Sequence, residues 1–198
     1  MKVLIKYYAT LVMLIVGTSI TYSQELNRIK TEKSTIMTDS IPTDFGQFVF
    51  KDSLDHTVQL SEFKGKFLMI DLWYTGCGAC IYANNGLKIV HDSLKNENIV
   101  FLSISIDQDK TFWLESIREN QQKTALNYWA GKYAPAKGTV TLYTGEVGRN
   151  HELVKTHNPR GTYPKLFLVD PEGELISAKP PRPDYEPNHL IEFIKRYL

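Results

Sequence analysis

The stretch KFLMIDLWYTGCGAC, Lys66–Cys80, decides how this chain is read. It opens on a nearly unbroken apolar run of strand length, KFLMIDLWY, which predicts a central strand covered on both faces. A single acid, Asp71, interrupts that run. Directly behind it comes a C-x-x-C pair, Cys77 and Cys80, and beyond the pair Ala83, Leu87, Val90 and Leu94 recur at helical spacing. The two cysteines, which are all the sequence has, therefore stand at a strand-to-helix junction.

A disulfide between Cys77 and Cys80 would close a very short loop, and the stabilisation from loop closure grows with loop length, so stability is a weak reason for the pair. Spacing alone leaves redox chemistry, metal binding and a passive disulfide open. Position adds more. At a helix N-terminus unpaired amide donors and the positive end of the helix dipole favour thiolate, so Cys77 is expected to be the nucleophile, with a depressed pKa. Cys80, one turn inside, is expected to be less exposed and to resolve the mixed disulfide. Asp71, if buried, pays for its charge in a raised pKa, which suits a proton acceptor for Cys80. The other reading of Asp71 is a strand-end acid that reaches solvent or caps a neighbouring backbone. Trp73 reads either as core or as an active-site surface. Thr75 and Gly76 allow the tight turn into the helix.

Outward from this run, FVFKDSLDHTVQLSEF alternates on both sides of Asp52–His56 and predicts a β-hairpin. Residues 24–40 are polar and read as a flexible spacer, so the packed domain is expected over 41–198. Downstream, NIVFLSISID is a second buried strand, and DKTFWLESIREN has helical spacing in Phe112, Ile117 and Trp113. Gln121–Arg160 carries weak patterning and is treated as an inserted or peripheral segment with one short helix near His151–His157. GTYPKLFLVD, PEG and ELISAK read as strand, tight turn and strand. A Pro-rich run then leads into NHLIEFIKRYL, a last helix with Leu190, Ile194 and Tyr197 on one face. The order β-α-β-α-β-β-α defines an α/β class with a parallel element.

The chain has 198 residues, 42% hydrophobic and 23% charged, which excludes collagen-like, coiled-coil and wholly disordered classes. Its formal net charge is +1. Met1–Ser23 has the order of a secretory signal peptide: basic Lys2 and Lys6, the apolar run Leu11–Gly17, then small Thr21 and Ser23 at the −3 and −1 positions. An uncleaved anchor is the alternative. No Cys follows the apolar run, so a lipid anchor is not indicated. Removing this segment takes away two bases and no acid, and the charge balance gives no support to a nucleic-acid or anionic-membrane partner. The expected location is periplasmic or otherwise exocytoplasmic, where disulfides form readily.

With this order of elements in place, IDLWYTGCGAC (Ile70–Cys80) resembles the strand and active-site run of the thioredoxin family, with Asp71, Trp73, Cys77 and Cys80 on matching positions. Tyr163-Pro164, just ahead of a strand, resembles that family's cis-proline loop. The export segment, the leading hairpin and the insertion are similar to the TlpA/ResA-like branch of thiol-disulfide oxidoreductases over roughly 41–198. The resemblance implies a thioredoxin-like fold, a central mixed β-sheet flanked by helices with an N-terminal β-hairpin and an insertion before the cis-Pro loop. It implies a redox disulfide at Cys77 and Cys80, Asp71 in proton transfer, and Trp73, Tyr163 and Pro164 facing the substrate. A cis Pro164 would present the carbonyl and amide of Tyr163 to an extended substrate segment.

The implied activity is thiol-disulfide exchange with exported proteins, in the reducing direction, with a membrane electron donor and with neither cofactor nor metal. Three positions depart from the family pattern. Ala79 stands where many members have Pro, Asn85 replaces a helix-kinking Pro, and Ala83 stands where several have a Glu, which weakens the case for cytochrome c maturation. Nothing in the sequence indicates an oligomeric state.

Four other readings of the pair are open. His151 and His157 could complete a Cys2His2 metal set, although the long gap argues against a compact finger. A thioredoxin-fold copper carrier has three residues between its cysteines and here there are two. A peroxiredoxin needs a Pro and a Thr ahead of a single reactive Cys, and Thr75 is one residue too close. A redox-inert binding module is the remaining alternative. His56, His91 and His189 read as surface residues.

Overall fold

Strand β3 (Phe67–Trp73) is the apolar run quoted above, and in the computed structural model it lies inside a seven-stranded sheet. The structure describes residues 43–117 and 133–198. The expected signal peptide, the spacer and residues 118–132, which include the start of the expected insertion, lie outside the described residues.

The other strands are β1 (Val49–Lys51), β2 (Thr57–Gln59), β4 (Ile99–Ser105), β5 (Val140–Tyr143), β6 (Lys165–Val169) and β7 (Leu175–Ser177). Their order across the sheet is β2-β1-β5-β4-β3-β6-β7. Pairs β3/β4 and β4/β5 run parallel, while β1/β2, β1/β5, β3/β6 and β6/β7 run antiparallel. The sheet is mixed and, with its helices, thioredoxin-like. Helix α1 (Gly78–Leu94) follows β3, α2 (Lys110–Ile117) follows β4, the short α3 (Glu152–His157) precedes β6, and α4 (Pro187–Lys195) closes the chain.

Alternation along β3 builds two cores. Leu68, Ile70 and Leu72 point to one face, where they meet Phe45, Phe50, Leu102, Ile104, Leu153 and Phe167. Met69 points to the other face, against Leu87, Val90 and Leu94 of α1 and Leu190 and Ile194 of α4. Each fully buried Leu, Ile or Phe of these cores contributes roughly 1.5–3 kcal/mol from removal of apolar surface from water. Asp71 shares the face of Met69. The same alternation that makes β3 a good core strand therefore drives a carboxyl into the interior under α1.

Helix α1 carries an exacting glycine. A Cβ at Gly86 would lie 2.0 Å from the carbonyl oxygen of Pro183, so the Pro-rich run before α4 crosses α1 where only a hydrogen side chain leaves room. This brings the backbone ahead of α4 against α1.

Several expectations about individual side chains are corrected here. In α2, Trp113 is fully buried whereas Phe112 is 47% exposed, because the inward stripe is set by Trp113 and Ser116. Tyr197 lies past the end of α4 and is exposed. His91 is buried rather than on the surface, its ring tilted against Phe101 with centroids 4.9 Å apart. Strand β5, inside the segment read as irregular, pairs Val140–Tyr143 with Leu102–Ser105 of β4.

Candidate active site

The C-terminal end of β3 delivers the cysteines. Gly76 takes φ +83°, a left-handed conformation that turns the chain sharply ahead of α1. Thr75, one residue earlier, is clamped. Its N–H donates to both carboxylate oxygens of Asp107 at 3.1 Å, its hydroxyl donates to Asp107 Oδ2 at 2.8 Å, and that hydroxyl also shares a 2.9 Å hydrogen bond with Ser116. Ser105 donates to the same Asp107 oxygen at 2.6 Å. The turn is thus tied to the end of β4 and to α2, and the cysteine that follows is held by groups from three elements.

Cys77 is the N-cap of α1, and Cys77 and Cys80 form a disulfide with Cα atoms 5.2 Å apart. The backbone N–H of Cys80 donates to Cys77 Sγ at 3.2 Å. That donor and the first-turn amides of a 17-residue helix face the sulfur on which negative charge develops when the disulfide opens. Cys80 has no exposed surface and Cys77 keeps 5%. In the reduced protein at mildly acidic pH, a thiol-alkylating reagent is expected to label Cys77 at least about tenfold faster than Cys80, since both thiolate fraction and access favour it. Peptide mapping after short exposures measures this, and equal labelling would remove the assignment of nucleophile.

A buried polar network reaches the cysteine cluster through Tyr133. Asp71 pairs in register with Ser103 on β4 and Leu166 on β6, and all three point beneath α1. The hydroxyl of Tyr133 donates to Asp71 Oδ2 at 2.5 Å, and Ser103 donates to the Tyr133 oxygen at 3.1 Å. Tyr133 is itself buried, stacked on Trp73 with centroids 3.7 Å apart. Burial pushes the Asp71 carboxyl up to about 7, and the Tyr133 hydrogen bond and the Arg182 charge pull in the opposite direction without overcoming it. Burial, the Asp71 charge and the hydrogen bond to it together hold the Tyr133 hydroxyl well above its ordinary range, so it remains the proton donor of the pair.

Trp73, Cys77, Cys80, Trp113, Tyr133 and Tyr143 make one buried cluster, with Tyr74 and Tyr163 packed against it. Of the two readings of Trp73, its burial fits the core one: the residue is fully buried, its ring stacked on Tyr133 in the cluster that holds the cysteines. The Tyr163-Pro164 peptide bond is cis. Sequence reasoning missed Tyr133 altogether. It is one of three tyrosines in a weakly patterned segment, and only the fold brings it to Asp71, 62 positions away.

His151 and His157 do not join the cysteines. His151 caps α3, its Nδ1 accepting from the Leu153 N–H at 3.2 Å and its Nε2 donating to the Val49 carbonyl at 2.7 Å, so both ring nitrogens are engaged. His157 packs between Phe45, Phe48 and Phe167.

A C-x-x-C disulfide at a helix N-cap, at the end of a central strand in a mixed sheet, defines a thioredoxin-fold protein. The chain belongs to the AhpC/TSA family, whose model matches residues 41–178. Among its relatives is the thiol-disulfide oxidoreductase ResA of Geobacillus kaustophilus, 22% identical over 166 residues that span 84% of this chain and 82% of that protein. Two solved structures share the fold. They are the thioredoxin domain of a thiol-disulfide oxidoreductase from Bacteroides vulgatus (22% identity, 80% of this chain and 99% of that one, TM-score 0.56) and a thiol-disulfide oxidoreductase from Bacteroides fragilis (20% identity, 80% and 99%, TM-score 0.56).

Proposed function

We propose that this protein is an exported thiol-disulfide oxidoreductase that exchanges the Cys77/Cys80 dithiol with disulfides of partner proteins, working as a reductase. The observation that carries the reading is the Cys77–Cys80 disulfide at the N-cap of α1, in one buried cluster with Tyr133, whose hydroxyl donates to buried Asp71. Cys77 thiolate attacks one sulfur of a partner disulfide, the partner S–S bond breaks, and the partner's second sulfur leaves as thiolate. Cys80, its proton passed to Asp71, then attacks Cys77 Sγ, closes the internal disulfide and releases the partner with both sulfurs reduced.

The loop Tyr163-Pro164 is the proposed substrate contact, because Tyr163 packs on the cluster that holds both sulfurs. Export rests on the pattern of Met1–Ser23, which places the chain where disulfides form. Among the described residues no helix is long and apolar enough to cross a membrane. Two cysteines can hold one electron pair, so the protein has to be recharged by a separate donor, which in an exocytoplasmic space is a membrane dithiol.

The deciding experiment is the equilibrium potential of the Cys77/Cys80 pair against a glutathione series. A value of about −250 mV or lower supports the reductase, and one near −120 mV would reverse the direction of electron flow. Failure to equilibrate with glutathione at all would reject exchange chemistry.

A further inference from the structure

We propose that this exchange site selects partner segments with acidic side chains beside their reactive cysteine. The inference rests on the exchange reading above and adds a substrate class to it.

The feature is a groove of about 360 Å³ that starts at Tyr163 and runs over Arg149, Lys155, Asn158 and Arg160. Three cations line it and no carboxylate does. Among the described residues none of the three takes part in an ion pair, although the protein forms such pairs elsewhere, as at Arg182 and Asp184. Glu146 and Glu152 belong to the same segment and do not line it. On the other side of Arg149 lies a second hollow of about 300 Å³, and its one acid, Asp107, is taken up by Thr75 and Ser105.

Arg149 ties this groove to the sulfurs. Its guanidinium carbon lies 5.8 Å from the centre of the Tyr74 ring and 6.0 Å from that of Tyr163. Those two rings meet edge to face, 5.5 Å apart, and both pack against the Cys77/Cys80 cluster. A partner cysteine bonded to Cys77 would bring its flanking residues to the side of the cluster where Tyr74 and Tyr163 hold Arg149. Held against two aromatic rings, the guanidinium is ordered before a partner arrives, and its fork of N–H donors matches a carboxylate. Unpaired charges of one sign in a concave site also concentrate their field. The chain as a whole carries a formal net charge of only +1, so a strong preference for acidic partners cannot come from general attraction and has to arise locally.

The test uses the full chain and two synthetic disulfide peptides that differ only in three residues on each side of the cysteine, Asp/Glu in one and Lys in the other. At low ionic strength the acidic peptide is expected to be reduced with a kcat/KM about tenfold higher or more. In 0.5 M salt, where charges are screened within about 4 Å, the ratio is expected to fall to about two. The combined variant Arg149→Gln, Lys155→Gln, Arg160→Gln is expected to erase the preference, whereas Arg149→Lys with Arg160→Lys retains most of it. Equal reduction of both peptides, or faster reduction of the Lys peptide, overturns the charge selection while leaving exchange in place. Reduction of neither peptide overturns the exchange reading and the selection with it.

Discussion

Replacing Cys80 by serine is expected to stop the reaction halfway and leave the protein covalently attached to its partners. Cys77, the N-cap of α1 and a slightly exposed residue, can still attack. No second sulfur is then available to displace the product, so mixed disulfides accumulate as high-mass bands that vanish on reduction. Cys77→Ser leaves Cys80 with no exposed surface, and few adducts are expected. Turnover is lost in both variants, so the readout that separates their roles is the adduct. Expression of the Cys80→Ser chain in an exocytoplasmic compartment, followed by non-reducing electrophoresis, measures it. An absence of adducts would favour a disulfide that is never exchanged.

The second large effect concerns stability and points the opposite way from activity. Asp71 titrates near 7 in the fold and near its ordinary 3.8 when the chain is unfolded. Between those values the folded protein holds a proton that the unfolded chain has released, so stability falls as pH rises from about 4 through 7 and is level above that. A raised pKa of this size corresponds to roughly 1.4 kcal/mol per unit, or a few kcal/mol in total. Asp71→Asn removes the buried charge and keeps an acceptor for the Tyr133 hydroxyl. It is expected to exceed the unaltered protein in stability at pH 8 by on the order of 2–4 kcal/mol, and to differ little at pH 4. Urea unfolding of the oxidised protein at both pH values measures this.

Release of mixed disulfide by the same variant is expected to slow about a hundredfold at neutral pH, because the proton acceptor is gone. Tyr133→Phe keeps the stack on Trp73 but withdraws the hydrogen bond that favours the carboxylate. It is expected to move the midpoint of the pH dependence of release upward. A destabilised Asp71→Asn protein would mean that the carboxyl is paired more strongly than its burial penalises it.

What could be read before the fold was seen follows from how local the signal is. β3 and α1 announce themselves because an apolar run and a helical stripe sit next to each other with the cysteines between, and Asp71 stands out as an acid where neighbouring positions are apolar. β5 did not, since a four-residue strand inside a six-residue stretch between Gly138 and Gly145 carries little periodicity and gains its identity only from β4 beside it. Tyr133 has the same history: its side chain matters because Asp71, Ser103 and Trp73 surround it, and all three come from distant sequence. Trp73 was open between core and surface for another reason: a pattern of residue positions does not say which way a side chain points, and alternation along β3 turned it inward, where Tyr133 covers it.

The nearly complete burial of Cys80 has a kinetic consequence. With Cys80 sealed and residue Cys77 keeping 5% of its surface, the proposed exchange routes electrons in and out through a single atom, Cys77 Sγ. Donor and acceptor must then occupy the same face in turn, each acting as a competitive inhibitor of the other's visit. Flux is capped by how long either lingers. For association near 10⁶ M⁻¹s⁻¹ and a turnover of about 10 s⁻¹, neither complex can be tighter than about 10 μM without throttling the cycle. Transience of both encounters is therefore a requirement of the architecture.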